Sequence, residues 1–271
     1  MKTILELYYY TYLTRAIDLR IIKEYPKQKI RCPVHLSLGQ EGIASGIGQA
    51  LKNEDMVMSN HRSHAHYLTK KCSSKQLIAE LYGKKSGSSG GKGGSMHLID
   101  LKKNFFGSTP IVGSTLPIAT GLAFSNKIKG IKDRIVVVYF GDGAFETGNF
   151  HECLNFASLH NLKILFVCEN NLYSVYSSLS VRQNKNIKVF KSARNYKINS
   201  SKLMGHQPDK IYQKIKKIRK YIVNKSRPYL IEINTYRNIE HCGVNKDDHL
   251  NYRPKKEIKF WKNKCPLKYL Y

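Results

Sequence analysis

Two short polar motifs carry the chemistry this sequence can do. Gly141-Asp142-Gly143 follows the apolar run RIVVVYF (134–140), and Glu169-Asn170-Asn171 follows KILFVC (163–168). Asp142 and Asn171 are 29 positions apart, yet neighbouring strands would bring their side-chain oxygens together at one sheet edge. A carboxylate and an amide oxygen suit Mg²⁺, a hard cation that completes its octahedron with water and phosphate oxygens. Gly141 and Gly143 leave room for a diphosphate to approach the backbone, and amides opening the next helix would face its charge. A lone GDG reads equally well as a tight turn; GDG after one buried run and NN after the next is a far more specific pattern.

The elements that must position these groups are legible in part. Both apolar runs are rich in β-branched and aromatic residues, as strands buried on both faces of a parallel sheet require. A helix over about 149–160 lies between them, giving a strand-helix-strand unit whose ligands bind beyond the carboxyl ends of the strands. Helical spacing over 3–24 ends at Pro26, Gly39-Gln40-Glu41 opens a small-residue helix to Leu51, and Ser73-Ser74 caps another to Tyr82. Ile211, Ile215, Ile218 and Ile222 mark one face of a basic helix, and Tyr229–Asn234 reads as a third strand. Six glycines between Gly83 and Gly94 indicate unusual backbone angles or close approach to a ligand. The tail from Tyr236 reads as polar with little periodicity.

With 271 residues and 41% hydrophobic content, the chain can bury a large core. Its net charge of +27 would ordinarily suggest a polyanion partner. Only 11 of its 46 basic residues are Arg, however, and the lysines are spread among Ile, Asn and Tyr, as AT-rich coding produces. No stacking or groove-reading motif accompanies the charge, which argues against nucleic acid. The six cysteines show no CxxC or metal-site spacing, and no window reaches the ~18 apolar residues of a membrane span. A soluble, cytoplasmic protein in a reducing compartment is the expectation.

Residues 141–171, GDGAFETGNFHECLNFASLHNLKILFVCENN, resemble the thiamine-diphosphate motif that begins with GDG and ends with NN. HLSLGQEG (35–42), HRSHAHYL (61–68), AELYGKKSGSSGGKGGSMH (79–97), STPIVGSTLPIATGLAFSNK (108–127) and ENNLYSVYS (169–177) narrow the resemblance. They look like the alpha subunit of the first component of 2-oxo-acid dehydrogenase complexes, a group that includes the pyruvate, acetoin and branched-chain enzymes. TYRNIEHCGVNKDDHLNYRPKKEI (235–258) is similar to that family's closing segment.

The resemblance implies an α/β thiamine-diphosphate-binding fold with a mostly parallel central sheet flanked by helices. Residues 1–235 would form the diphosphate-binding domain, and 236–271 a C-terminal segment packed on it that carries an active-site His. The implied cofactors are thiamine diphosphate and Mg²⁺. The implied reaction is oxidative decarboxylation of a small 2-oxo acid with acyl transfer to a lipoyl group on a partner acyltransferase. A beta subunit would supply the activating Glu, in an assembly of two alpha and two beta chains. A non-oxidative thiamine-diphosphate enzyme, a decarboxylase or split transketolase-like pair, is the alternative.

Residue by residue, Asp142, Asn171 and the main-chain carbonyl of Tyr173 match the family's Mg²⁺ ligands. Gly143 and Ala144 match its backbone diphosphate contacts, with Gly141 beside them leaving room for the diphosphate, Arg62 matches its diphosphate-pairing Arg, and Val112 the apolar wedge between the cofactor's rings. His241 matches the active-site His, an imidazole whose ordinary titration near neutrality suits proton transfer. His64, in a site segment, is a second catalytic candidate. His61 stands where many relatives have Tyr and can still donate to phosphate. Thr115 and Met204 also depart from the family pattern, where Gln and Asp are usual.

Overall fold

The computed structural model describes residues 2–271. The chain opens with α1 (Lys2–Glu24) and α2 (Glu41–Ala50), followed by β1 (Met56–Ser59), α3 (His64–Thr69), α4 (Ser74–Leu81) and β2 (Phe105–Ser108). Next come α5 (Thr115–Ile128), β3 (Val136–Gly141), α6 (Gly148–Leu159) and β4 (Ile164–Asn170). A two-stranded antiparallel hairpin, β5 (Tyr173–Ser174) with β6 (Ser177–Ser178), leads into the one-turn helices α7 (Leu179–Arg182) and α8 (Val189–Ser192). After these run β7 (Asn199–Met204), α9 (Pro208–Lys225), β8 (Tyr229–Asn234), α10 (Lys255–Lys262) and α11 (Pro266–Leu270).

Six strands form one sheet in the order β2-β1-β3-β4-β8-β7, and every neighbouring pair is parallel. The sequence-based expectation of a parallel α/β sheet flanked by helices therefore holds. Alternation along the strands splits the core into two halves. Val137, Tyr139, Leu165, Val167, Ile231 and Ile233 face α2 and α9, whose Ile211, Ile215, Ile218 and Ile222 are all buried. Val136, Val138, Phe140, Ile164, Phe166 and Cys168 face α5 and α6. Period-2 alternation with both faces covered is what makes β3 and β4 read as continuous apolar runs.

The amino ends of the central strands are locked by a buried ion pair. Asp55, fully buried just before β1, accepts from Arg219 Nε at 2.7 Å and Arg219 Nη2 at 2.9 Å. It also accepts from the amides of Lys52 at 2.8 Å and Ile135 at 3.1 Å, so one carboxylate ties β1, the entry to β3, and α9.

The glycine-rich segment is bound to the protein itself. Glu80, at the end of α4, accepts from the amides of Ser89 (2.7 Å), Gly91 (2.9 Å), Gly93 (2.7 Å) and Gly94 (3.0 Å). Gly91 and Gly94 take positive φ of 78° and 63°, so the loop can aim successive amides at one carboxylate. Burial alone would raise the Glu80 pKa, but the four amides outweigh it and hold the group below its ordinary 4.5. Its folded-state pKa is thus depressed, so its stabilisation is present above the ordinary value and is lost as pH falls through the folded one. Glu80→Gln is expected to cost about 1–3 kcal/mol at neutral pH. In urea unfolding measured across pH, the deficit should shrink in acid below pH 4.5. A deficit independent of pH would refute the charge-based account.

The C-terminal tail differs from its polar, aperiodic reading. Residues 255–262 form α10, and Trp261 packs with Tyr173 and Tyr236, stacking on Tyr236 at 5.7 Å between ring centroids. Ile258 and Trp261, three apart, give this helix a narrow apolar stripe that eight residues with four lysines conceal. α11 closes against α2, where a Cβ on Gly42 would meet Pro266 Cβ at 2.9 Å. No helix among the described residues is long and apolar enough to cross a membrane.

Candidate functional site

One cleft of about 730 Å³, open to solvent, lies at the carboxyl edge of the sheet. Asn60, His61 and Arg62 enter it after β1, Thr109, Ile111, Val112 and Gly113 after β2, Gly141 to Ala144 from the end of β3, and Asn171, Tyr173, Ser174 and Val175 after β4. His241 reaches it from the segment beyond β8. The chain order reverses between β1 and β3, and ligand crevices of open parallel sheets form at such a reversal.

Asp142 and Asn171 end adjacent strands in register, with Gly141 opposite Glu169, so the cleft receives both. Asp142 is 1% exposed and ion-paired through Oδ2 with Arg182 Nη2; the same guanidinium pairs with Glu146. Burial raises the Asp142 pKa, and Arg182 works against that rise. Asn171 Oδ1 accepts from the amide of Tyr173 at 3.1 Å, and its Nδ2 lies 3.4 Å from Gln40 Oε1. The Tyr173 phenol turns away and donates to Glu257 at 2.7 Å, which leaves only main chain for the cleft. Leu172 and Val175 flank it at φ 73° and 54°, unfavourable values for residues with branched side chains, of the kind found where a site constrains the backbone.

Arg62 is 4% exposed, and its guanidinium donates to the carbonyls of Leu36 at 2.5 Å and His241 at 3.1 Å. Burial and then Arg237 lower its pKa to about 9, still charged at neutral pH. Beside it His35, His61 and His241 form a triangle of rings with centroids 4.7–5.2 Å apart. Burial, followed by the charge of Arg62, pushes the His241 pKa down to about 3 and that of His61 to about 2. The expectation that His241 titrates near neutrality is thereby corrected: without an anion beside it, the imidazole is uncharged.

His64 is also placed differently from its candidate catalytic role. It is fully buried outside the cleft lining, with Nδ1 3.0 Å from Asp18 Oδ1 and Nε2 2.8 Å from Ser95 Oγ. Both ring nitrogens are used, so the side chain braces α1 against the segment around Ser95. Val112 is 52% exposed at the cleft mouth beside Ile111, and Thr115 lines the cleft at the start of α5. Met204 lies away from the cleft and packs at the edge of the cluster around Trp261. His35 and Arg182 had no role in the sequence reading. Their placement depends on contacts across 26 to 206 positions, which no local pattern signals.

The residues present fit a magnesium-bound diphosphate. Asp142 already holds a cationic group, Arg62 adds a positive charge at neutral pH, and a Cβ built on Gly141, which lines the cleft, meets nothing within 4 Å.

Residues 9–271 match the dehydrogenase E1 component family. The chain belongs to that family. It is 34% identical over 255 residues to the pyruvate dehydrogenase E1 component subunit alpha of Rickettsia prowazekii (strain Madrid E), covering 94% of this chain and 77% of that one. It is 35% identical to the same subunit of Rickettsia bellii (strain RML369-C), covering 86% and 70%. With the mitochondrial alpha subunit of Saccharomyces cerevisiae it shares 34% identity, over 97% of this chain and 60% of the other. Among solved structures, a transketolase from Campylobacter jejuni superposes with a TM-score of 0.65 at 17% identity. That likeness, over 98% of this chain and 46% of the transketolase, is one of fold.

Proposed function

We propose that this chain is the alpha subunit of a thiamine-diphosphate-dependent 2-oxo-acid dehydrogenase that works with a beta subunit and passes its acyl product to a lipoyl group. The observation that carries the reading is the meeting of Asp142, Asn171 and Arg62 in one cleft at the strand ends of an E1-family chain. Asp142, Asn171 Oδ1 and the Tyr173 carbonyl would hold Mg²⁺, all hard oxygens. Arg62, the backbone of Gly143 and Ala144, and His61 would face the diphosphate. Bound there, thiamine diphosphate supplies the carbon nucleophile that decarboxylates the 2-oxo acid.

The remaining roles belong to side chains of this chain. Ile111 (69% exposed) and Val112 present an apolar lip that excludes water and orients the cofactor's rings once covered. His241, uncharged, can accept a proton or hydrogen bond at a ring nitrogen, and a diphosphate beside it would raise its proton affinity. Glu169 lines the cleft but is already bound to His66 Nε2 at 3.1 Å, so it is not free to activate the cofactor. That activating carboxylate is assigned to the beta subunit, in a two-alpha, two-beta assembly placed in the cytoplasm.

The test is 2-oxo-acid-dependent dye reduction by the chain co-purified with its beta subunit, with Mg²⁺ and thiamine diphosphate. Pyruvate, branched-chain 2-oxo acids and acetoin are compared. Turnover requiring both chains is expected. Cofactor binding without dye reduction for every substrate would overturn the oxidative assignment.

A further inference from the structure

The cleft holds a second set of ligand atoms, chemically unlike the oxygens at Asp142 and Asn171. One ring nitrogen from each of His35, His61 and His241 lies within 4.8 Å of the other two. His35 is 7% exposed, and its Nδ1 is buried with no hydrogen-bond partner. The neighbouring His64 and His66 behave otherwise, each engaging both ring nitrogens with protein groups. A buried nitrogen without a partner forfeits its hydration, a loss that a ligand can restore.

The three rings are held together by main chain as well as by packing. His35 forms an isolated parallel bridge with Gly243, whose amide donates to Val34 O at 2.8 Å, and this sets His241 beside His35. Arg62 spans the same two segments through Leu36 O and His241 O. His61 completes the triangle, 4.7 Å from His35 and 5.2 Å from His241 between ring centroids. Two imidazoles would make a weak site; the third creates the nitrogen set that borderline-soft divalent ions prefer.

We propose that His35, His61 and His241 bind a divalent transition-metal ion of the Zn²⁺ class, with the fourth coordination position open to the cleft. In a tetrahedral zinc site the nitrogens stand ~3.3 Å apart, so ring rotations bringing them closer by up to about 1.5 Å suffice. Arg62 and Arg237 are the positive groups nearby. The Arg62 guanidinium donates to two carbonyls, and a hydroxide or chloride in the open position offsets the remaining repulsion. Mg²⁺ is excluded because it demands oxygen ligands. An occupied site would stand against Arg62 where the diphosphate is to bind, so the ion inhibits cofactor loading.

The test titrates Co²⁺ into the 271-residue chain, with no thiamine diphosphate present, and reads visible d-d absorption. One Co²⁺ per chain is expected, displaced by Zn²⁺ and unaffected by excess Mg²⁺. His61→Tyr and His35→Ala should each weaken binding about a hundredfold, with circular dichroism confirming that the variants are folded. Asp142→Ala and Cys242→Ser should leave it unchanged. Retention of Asp142→Ala binding separates this proposal from the assignment of the magnesium site. Absence of stoichiometric Co²⁺ binding, its persistence in His61→Tyr, or its loss in Cys242→Ser would overturn the three-histidine site.

Discussion

Asp142→Ala is expected to abolish Mg²⁺-dependent binding of thiamine diphosphate and to lower 2-oxo-acid turnover by about a thousandfold. The size follows from the ion's place: a metal that anchors a diphosphate contributes several kcal/mol, and each 1.4 kcal/mol is about tenfold. The variant should fold, because Asp142 follows β3 and its burial and ion pair involve the cleft, not the two core layers. Calorimetric titration of cofactor with and without Mg²⁺, beside a thermal unfolding curve, separates the two outcomes. A folded variant that still binds cofactor only with Mg²⁺ would show that the metal is held elsewhere.

Arg219→Leu should have the largest effect on stability, about 3–5 kcal/mol, because it leaves the buried Asp55 carboxylate without its cation. Asp55 would keep the amides of Lys52 and Ile135, which satisfy hydrogen bonds but do not neutralise the charge. Chemical denaturation measures the loss, and a second change, Asp55→Asn, should recover part of it. Loss below ~1 kcal/mol would mean that water reaches the pair and that the lock is weak. The effect bears on function because the pair joins the starts of β1 and β3, the strands whose far ends present Arg62 and Asp142.

What could be read from the sequence depended on how many neighbours each residue answers to. β3, β4 and β8 are buried on both faces, so their composition alone identifies them; the prediction for β8 matches it at both ends. β1 and β2 have four residues each, too few to show a period. β7 is an edge strand with no fully buried residue, and its NSSKLM carries no apolar run. At the site, Asp142, Asn171, Arg62, His61 and His241 are brought together because each follows a strand of the same sheet. His64 lies two residues beyond Arg62 yet points elsewhere, since the chain has already turned into α3 and aims the ring at Asp18. The glycine-rich segment shows the same limit: its backbone angles were legible, but that its ligand is the chain's own Glu80 was not.

The pairing of Arg182 with Asp142 would make uptake of the proposed metal an exchange reaction. Asp142 and Glu146 share one guanidinium carried by α7, just past the hairpin that bears Tyr173. A divalent ion held by Asp142 would compete with that guanidinium, so its apparent affinity would measure a difference between two partners for one carboxylate. Residue 182 would thus tune the apparent affinity for magnesium alongside the oxygens proposed to receive it.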